Sequence, residues 1–416
     1  MAEQGAPPRD TTLRRTLNVW SAVGVSVALM APSMAININP QGTASAVGRA
    51  VPLAFLLASV GGVLLIAHTF VRLSQRFSHA GSVYAFVGVT LEPRAGSVAG
   101  WLNAGTYVFY GAVTSTAAGI FFLTDLARKV AAPKELPDWV AFAFAWLVLA
   151  AVWWLSAREV KGGTTVLLVT EGLTITLILV VAAITLGKLI TGHTPNGQRV
   201  DMSVFTVAPG TSVSTVFLGI VFGFLSFAGF EAAATLGEET DAPRRNIPRA
   251  ILGTALFGGG VFFVAVTAIE VMAFGTDTDG GVAAFVRSDA LMGDLAQQYV
   301  APPWLSYVIV IGATFSAAAC CLASVVGASR LIFALSRDGI GPPRHWAAIH
   351  PPGAMCRMWL PRPPCCGVRD PSRRLVCVAG AALRRVHHRG HSGNADLAGG
   401  IRTGHAWRHS VGVPCR

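Results

Sequence analysis

Ser226-Phe227-Ala228-Gly229-Phe230-Glu231 sits inside an apolar run covering about residues 211–236. A glycine and a carboxylate in the middle of such a run work against a continuous helix. Glycine weakens a helix interior, and an ionisable group at membrane depth is costly unless it is partnered or functional. A second interruption, Ala31-Pro32-Ser33-Met34, falls inside the run of about residues 18–39. Proline there removes a backbone donor and clashes with the preceding turn. Either interruption alone reads equally well as a simple kink. Together they lie in the first and sixth apolar runs of the chain, the first members of two successive groups of five. Interrupted helices at matching positions of two halves point to an inverted-repeat transporter with a midplane site.

The surrounding sequence supports a membrane setting. Of its 416 residues, 53% are hydrophobic and 13% charged, against about 25% charged in ordinary soluble domains. Eight runs are long enough to cross a bilayer. They cover about residues 18–39, 51–74, 96–126, 138–156, 164–188, 211–236, 250–275 and 304–336. Barrel strands would alternate over about 10 residues; these runs are longer and uniformly apolar, so they are read as helices. With residues 1–17 placed in the cytoplasm, inner segments carry 14 basic residues and outer segments 7. That bias predicts a multi-pass protein of the cytoplasmic membrane with a cytoplasmic N-terminus.

The net charge of +11 does not indicate nucleic-acid binding, because it is concentrated at one end. Residues 351–416 contain 11 Arg, no Lys, and only Asp370 and Asp396 as acids. The composition changes abruptly near residue 350, and no later stretch could span a bilayer. The expectation is a transmembrane domain over residues 18–350 and a disordered basic tail over 351–416, of a composition suggesting a shifted reading frame. Cys320 and Cys321 are adjacent in an apolar run, so no disulfide framework is indicated. No phosphate-binding loop, dinucleotide fingerprint or zinc-protease motif is present. No enzyme, cofactor or metal site is therefore expected. The cluster His387-His388-Arg389-Gly390-His391 lacks acids or cysteines at tetrahedral spacing.

Three ordered stretches carry a family resemblance over about residues 15–350. The first is Phe227 to Ala233, continued by Gly237-Glu238-Glu239-Thr240-Asp241-Ala242-Pro243-Arg244-Arg245-Asn246-Ile247-Pro248-Arg249-Ala250. The second is Ser78-His79-Ala80-Gly81-Ser82-Val83-Tyr84 with Gly100-Trp101. The third is Gly327-Ala328-Ser329-Arg330 through Arg337-Asp338-Gly339. They resemble the sixth helix and following loop, the turn after helix 2, and the end of helix 8 in the amino acid–polyamine–organocation family of permeases. The resemblance implies an all-α integral membrane fold, a LeuT-type inverted-repeat helix bundle. It is incomplete here, with about eight transmembrane helices where the family continues with helices 9 and 10. The chain is accordingly expected to be a C-terminally truncated or frameshifted permease that does not itself transport. It departs from the family in having Ala31-Pro32-Ser33 where many members carry Gly-Ser-Gly. It also has Leu225 where some carry a covering Trp.

The function that follows is secondary active transport of amino acids, by proton-coupled symport or exchange. A passive channel and a non-functional truncated fragment are the alternatives. A broken helix offers N–H groups to a carboxylate and C=O groups to an ammonium, the two ends of an amino acid. Expected binding residues are Ala31, Pro32, Ser33 and Met34, with Ser226, Phe227, Ala228, Gly229 and Phe230, and Tyr107 from the third span. Glu171, alone in span 5, and Glu231, beside the second break, are the coupling candidates. A neutral, hydrogen-bonded structural carboxyl is the plainer reading of each. Ser316 in span 8 is a candidate for holding an ion. The implied partners are the substrate, a proton or other coupling ion, and the lipid bilayer. The particular amino acid and the oligomeric state are not legible in the sequence.

Overall fold

The computed structural model describes residues 17–77, 79, 81–123, 137, 139–156, 163–300 and 302–340. The expectations for residues 1–16 and for the tail at 351–416 lie outside the described residues. Those described are helical, with no strand beyond one isolated bridge between Leu17 and Thr240.

The first span is two helices, α1 (Val19–Met30) and α2 (Pro32–Val47). Asn18 caps α1 by accepting the Ser21 N–H at 2.9 Å. Helix α2 runs past residue 39, where hydropathy alone ends the span. Its extension is polar in sequence yet held by bonds. Asn37 donates to Ser33 O and accepts from Met292 N, Asn39 donates to Ser226 Oγ, and Gln41 donates to Ser288 O.

The second span joins α3 (Val51–Ala58) to α4 (Leu64–Ser74) through a π segment at Ser59–Val63. After α5 (Val83–Thr90) comes α6 (Pro93–Phe121), about 43 Å long at 1.5 Å per residue. Gly96, Gly100, Ala104, Tyr107, Gly111, Ser115 and Ala118 are all buried along one stripe of α6. Small residues three or four apart let helix backbones approach closely in lipid. The last long helix packs against this stripe.

Helix α7 (Trp139–Ser156) buries only Ala141, Ala145, Val148 and Val152, a single narrow face. The rest of its surface is apolar and exposed, including Trp139, Phe142, Trp146 and Trp153. Exposed apolar surface of that extent belongs against lipid. Helix α8 (Gly163–Thr191) follows, then α9 (Val213–Phe227), which ends at the second interruption. A short 3-10 segment, Ala232–Leu236, resumes the path.

The seventh span is α10 (Pro243–Ala255), a π segment at Leu256–Phe262, and α11 (Phe263–Phe274). The π segments of spans 2 and 7 pack against each other, and such segments are frequent at functional sites. Two short helices, α12 (Ala283–Arg287) and α13 (Leu291–Leu295), fill the connection to α14 (Pro303–Arg337). Six of these helical stretches are long and apolar enough to cross a membrane by a strict hydropathy criterion.

Candidate functional site

The two interruptions touch. In span 1 the break is one residue: Ala31 adopts a left-handed conformation, φ +45°, and Pro32 opens α2. Proline is suited to a first helical position because its missing donor is unneeded there. Ser33 and Met34 therefore lie in the first turn of α2, beyond the break itself.

In span 6 the break is longer. Residues 228–231 are turn between α9 and the 3-10 segment. Gly229 has φ +106°, and a Cβ built on it would lie 2.7 Å from both Leu29 C and Met30 N. Only glycine accommodates both the backbone conformation and the approach. The turn of span 6 is thus seated directly on the end of α1.

Polar side chains hold each break. Ser26 of α1 donates to Phe230 O at 3.0 Å and accepts from Ala233 N at 2.9 Å, bridging both sides of the second break. Glu231 turns back to accept the Gly229 N–H at 3.1 Å. At the first break, Glu171 of α8 accepts the Ser33 N–H at 2.9 Å. Met34 N donates to Ser316 Oγ at 3.3 Å, and Cys320 Sγ donates to Leu29 O at 2.9 Å. A carboxylate at the free N–H groups of a helix start is favoured by the helix dipole.

The expected site residues are thus largely brought together. Ala31, Pro32, Ser33, Met34, Ser226 and Phe227 are buried around the two breaks, with Phe230 against Phe70. Glu171 and Glu231, chosen for the cost of a carboxylate at their depth, each sit at a break. Tyr107 is buried, and its ring lies against Gly327 of α14. Among the described residues no hydrogen bond joins it to either break. Leu225 is 42% exposed and faces away from the core.

Sequence reasoning missed Ser26, Asn39 and Cys320. Small polar residues are common on helices of this kind, and only their partners mark these three. It also missed that the three stretches carrying the family resemblance meet in one ion cluster. Arg330 forms a two-point pair with Glu239, at 2.9 and 3.2 Å. Arg337 does the same with Glu238, both at 2.7 Å. His79 lies 2.9 Å from Arg337 Nη2 and 3.4 Å from Asp338 Oδ2. Leu17, just before α1, pairs its backbone with Glu239 and Asp241. The cluster joins the start of span 1, the turn after span 2, the segment after span 6 and the end of span 8.

A family model described as amino acid permease matches residues 17–361. The chain belongs to the amino acid permease family. The permease is 26% identical over 377 residues to the low-affinity putrescine importer of Escherichia coli (strain K12), covering 90% of this chain and 75% of the importer. It is 24% identical over 357 residues to the branched-chain amino acid permease of Bacillus subtilis (strain 168), covering 82% and 69%. Among solved structures, a mutant manganese transporter of Eremococcus coleocola aligns with 97% of the permease and 78% of its own chain. That alignment has 13% identity and a TM-score of 0.37. The permease is a multi-pass membrane transporter, not an enzyme.

Proposed function

We propose that the permease carries amino acids across the cytoplasmic membrane by secondary active transport, as a proton-coupled symporter or an exchanger. The substrate binds where spans 1 and 6 are broken, against Ala31–Met34 and Ser226–Phe230, with Tyr107 lining the approach. Glu171 and Glu231 are the coupling carboxyls, and residues 1–17 lie on the cytoplasmic side. The observation that carries this reading is the contact of the two breaks, with Gly229 seated on Leu29 and Met30. Two helix ends meeting inside a bundle give opposed backbone dipoles, which suit a molecule bearing both an ammonium and a carboxylate. The test is uptake of a panel of labelled amino acids into proteoliposomes of the 416-residue chain. Saturable, stereoselective uptake is expected, against the sequence expectation of a chain that does not itself transport; no saturable uptake would favour the truncated-fragment alternative. Flux that is unsaturable and indifferent to stereochemistry would fit a passive channel instead.

One observation favours a second substrate class. The first free N–H of α2 is already taken by the Glu171 carboxylate. A substrate carboxylate must displace it, whereas an ammonium is attracted to it. A diamine has two ammonium groups and no carboxylate, and the importer among the relatives is named for putrescine. Competition of unlabelled putrescine against amino acid uptake separates the two. Stronger inhibition by putrescine than by any amino acid would favour the diamine.

A further inference from the structure

Among the described residues, three carboxyls lie inside the spans: Glu171 on α8, Glu231 at the second break, and Glu270 on α11. The first two are bonded to backbone N–H groups. Glu270 is not. It is 0% exposed, and among the described residues neither of its oxygens has a hydrogen-bond partner. An ionised carboxylate cannot be kept in such a place without a counter-ion, so the group either holds a proton or faces a cation.

Its surroundings follow from bonds nearby. Tyr299 donates its hydroxyl to Ala273 O at 2.9 Å and accepts Lys188 Nζ on its own carbonyl at 2.6 Å. Tyr299 therefore links Ala273 of α11 to Lys188 of α8. Glu270 is one turn before Ala273 on α11, and Thr185 is one turn before Lys188 on α8. These two helices pack together. Thr185 is also 0% exposed, and its hydroxyl likewise has no partner among the described residues. Two unsatisfied polar groups thus lie on two helices that pack together, each three residues before a position tied to Tyr299.

Helices α2 and α3 and the π segment of span 7 bring no titratable group. Farther out, Asp294 is bonded to Ser288, Asp277 to Gly281 N, and Asp201 to Thr276 and Ser203. Arg287 ends α12, and Tyr299 is engaged as described. Lys188 lies on α8, which packs against α11, and reaches Tyr299, which is bonded to Ala273 one turn beyond Glu270.

We propose that Glu270 is a proton-binding site of the transport cycle, loaded in the state seen here and emptied when spans 5 and 7 part. On parting, water enters, the carboxyl O–H breaks and its proton leaves to that water. The carboxylate left behind takes the Lys188 ammonium as counter-ion. A carboxyl with no bond to any neighbour contributes little to packing, so its presence is explained by a charge that changes. This inference rests on the proton-coupled transport reading above.

The experiment compares the wild-type 416-residue chain with Glu270→Gln and Glu270→Leu in proteoliposomes, with amino acids and putrescine as probes. For one proton per substrate, a one-unit pH gradient supports up to about tenfold accumulation. The wild type should approach that ratio, and both variants should fall to about onefold while keeping counterflow exchange. Their thermal midpoints should stay at the wild-type value, because no hydrogen bond is lost. Infrared spectra should show a protonated-carboxyl band in the wild type that Glu270→Gln removes. Gradient-driven accumulation unchanged in both variants would overturn the proposal, as would a carboxyl band that Glu270→Gln leaves intact. A large loss of thermal stability in both would also overturn it, by showing a structural role. Absence of saturable uptake in the wild type is a different failure, which removes the transport reading itself and this role with it.

Discussion

The two breaks look alike in sequence and are built differently. The first is a single left-handed residue, Ala31, and the side chains that hold it come from elsewhere: Glu171 on span 5, and Ser316 and Cys320 on span 8. The second is a four-residue turn held by its own Glu231 and by Ser26 of span 1. Span 1 is therefore tied to span 6 by two bonds through the Ser26 hydroxyl, by the Asn39–Ser226 and Thr43–Gly219 bonds of α2, and by backbone contact at Gly229. It is tied to spans 5 and 8 by three separate side-chain bonds. Spans 1 and 6 can move together without disturbing their shared contact, while any motion against spans 5 and 8 must break the other set. On the transport reading proposed above, the second break would hold a moving pair together and the first would latch it.

Changing the second break should have the largest effect. Gly229→Ala places a Cβ 2.7 Å from two backbone atoms of α1 at φ +106°. A strained backbone costs on the order of 1–3 kcal/mol, and overpacking roughly as much again. A fall of several degrees in the thermal midpoint of purified protein is expected. A wild-type midpoint would mean that the breaks do not touch as described. Ser26→Ala comes next. It leaves Phe230 O and Ala233 N buried without their partner, at about 1–3 kcal/mol for a buried group left unsatisfied. Unchanged stability there would break the claim that Ser26 binds the pair.

Glu171→Gln should matter less for stability and more for function. The amide oxygen still accepts from Ser33 N, so a loss below about 1 kcal/mol is expected. Uptake should lose its dependence on the pH gradient while exchange persists. Unchanged pH dependence would leave Glu171 a latch and nothing more.

How much of this was legible follows from which residues carry a chemical constraint of their own. Pro32 and Gly229 did, since proline lacks a donor and glycine lacks a Cβ, and both breaks were located from them. Ala31 did not: nothing in an alanine announces a left-handed conformation, which here is imposed by Pro32 and the seat of Gly229. Glu171 stood out as an expensive carboxyl, but its partner is a backbone N–H 138 positions away. Glu270 carried the same signal as Glu171 and was passed over; its want of a hydrogen-bond partner shows only in the folded chain. The last turns of α2, residues 40–47, fell outside the span read at 18–39, since the partners of Gln41 and Thr43 are Ser288 and Gly219 from distant parts of the chain. The ion cluster was visible only as three separate motifs, because pairing Arg330 with Glu239 and Arg337 with Glu238 needs tertiary contact.

The smallest expected effect is the most informative about the division between holding and latching. If Ser26 serves only the span 1–6 contact and Glu171 only the span 1–5 contact, their substitutions should act independently. They lie on different helices, α1 and α8, and among the described residues no bond or shared partner joins them. Independent sites add to within about 0.3–0.5 kcal/mol. The double variant Ser26→Ala with Glu171→Gln should therefore lose the sum of the two single losses, within that margin, in denaturant or thermal unfolding. A coupling energy of 1 kcal/mol or more would show that the two breaks form one cooperative unit. Span 1 would then relay any change at Glu171 into the turn at Gly229, and the latch would act on the substrate site directly. Additivity would instead leave the substrate site intact while the latch opens, as required if spans 1 and 6 carry the site between the two faces of the membrane as one body.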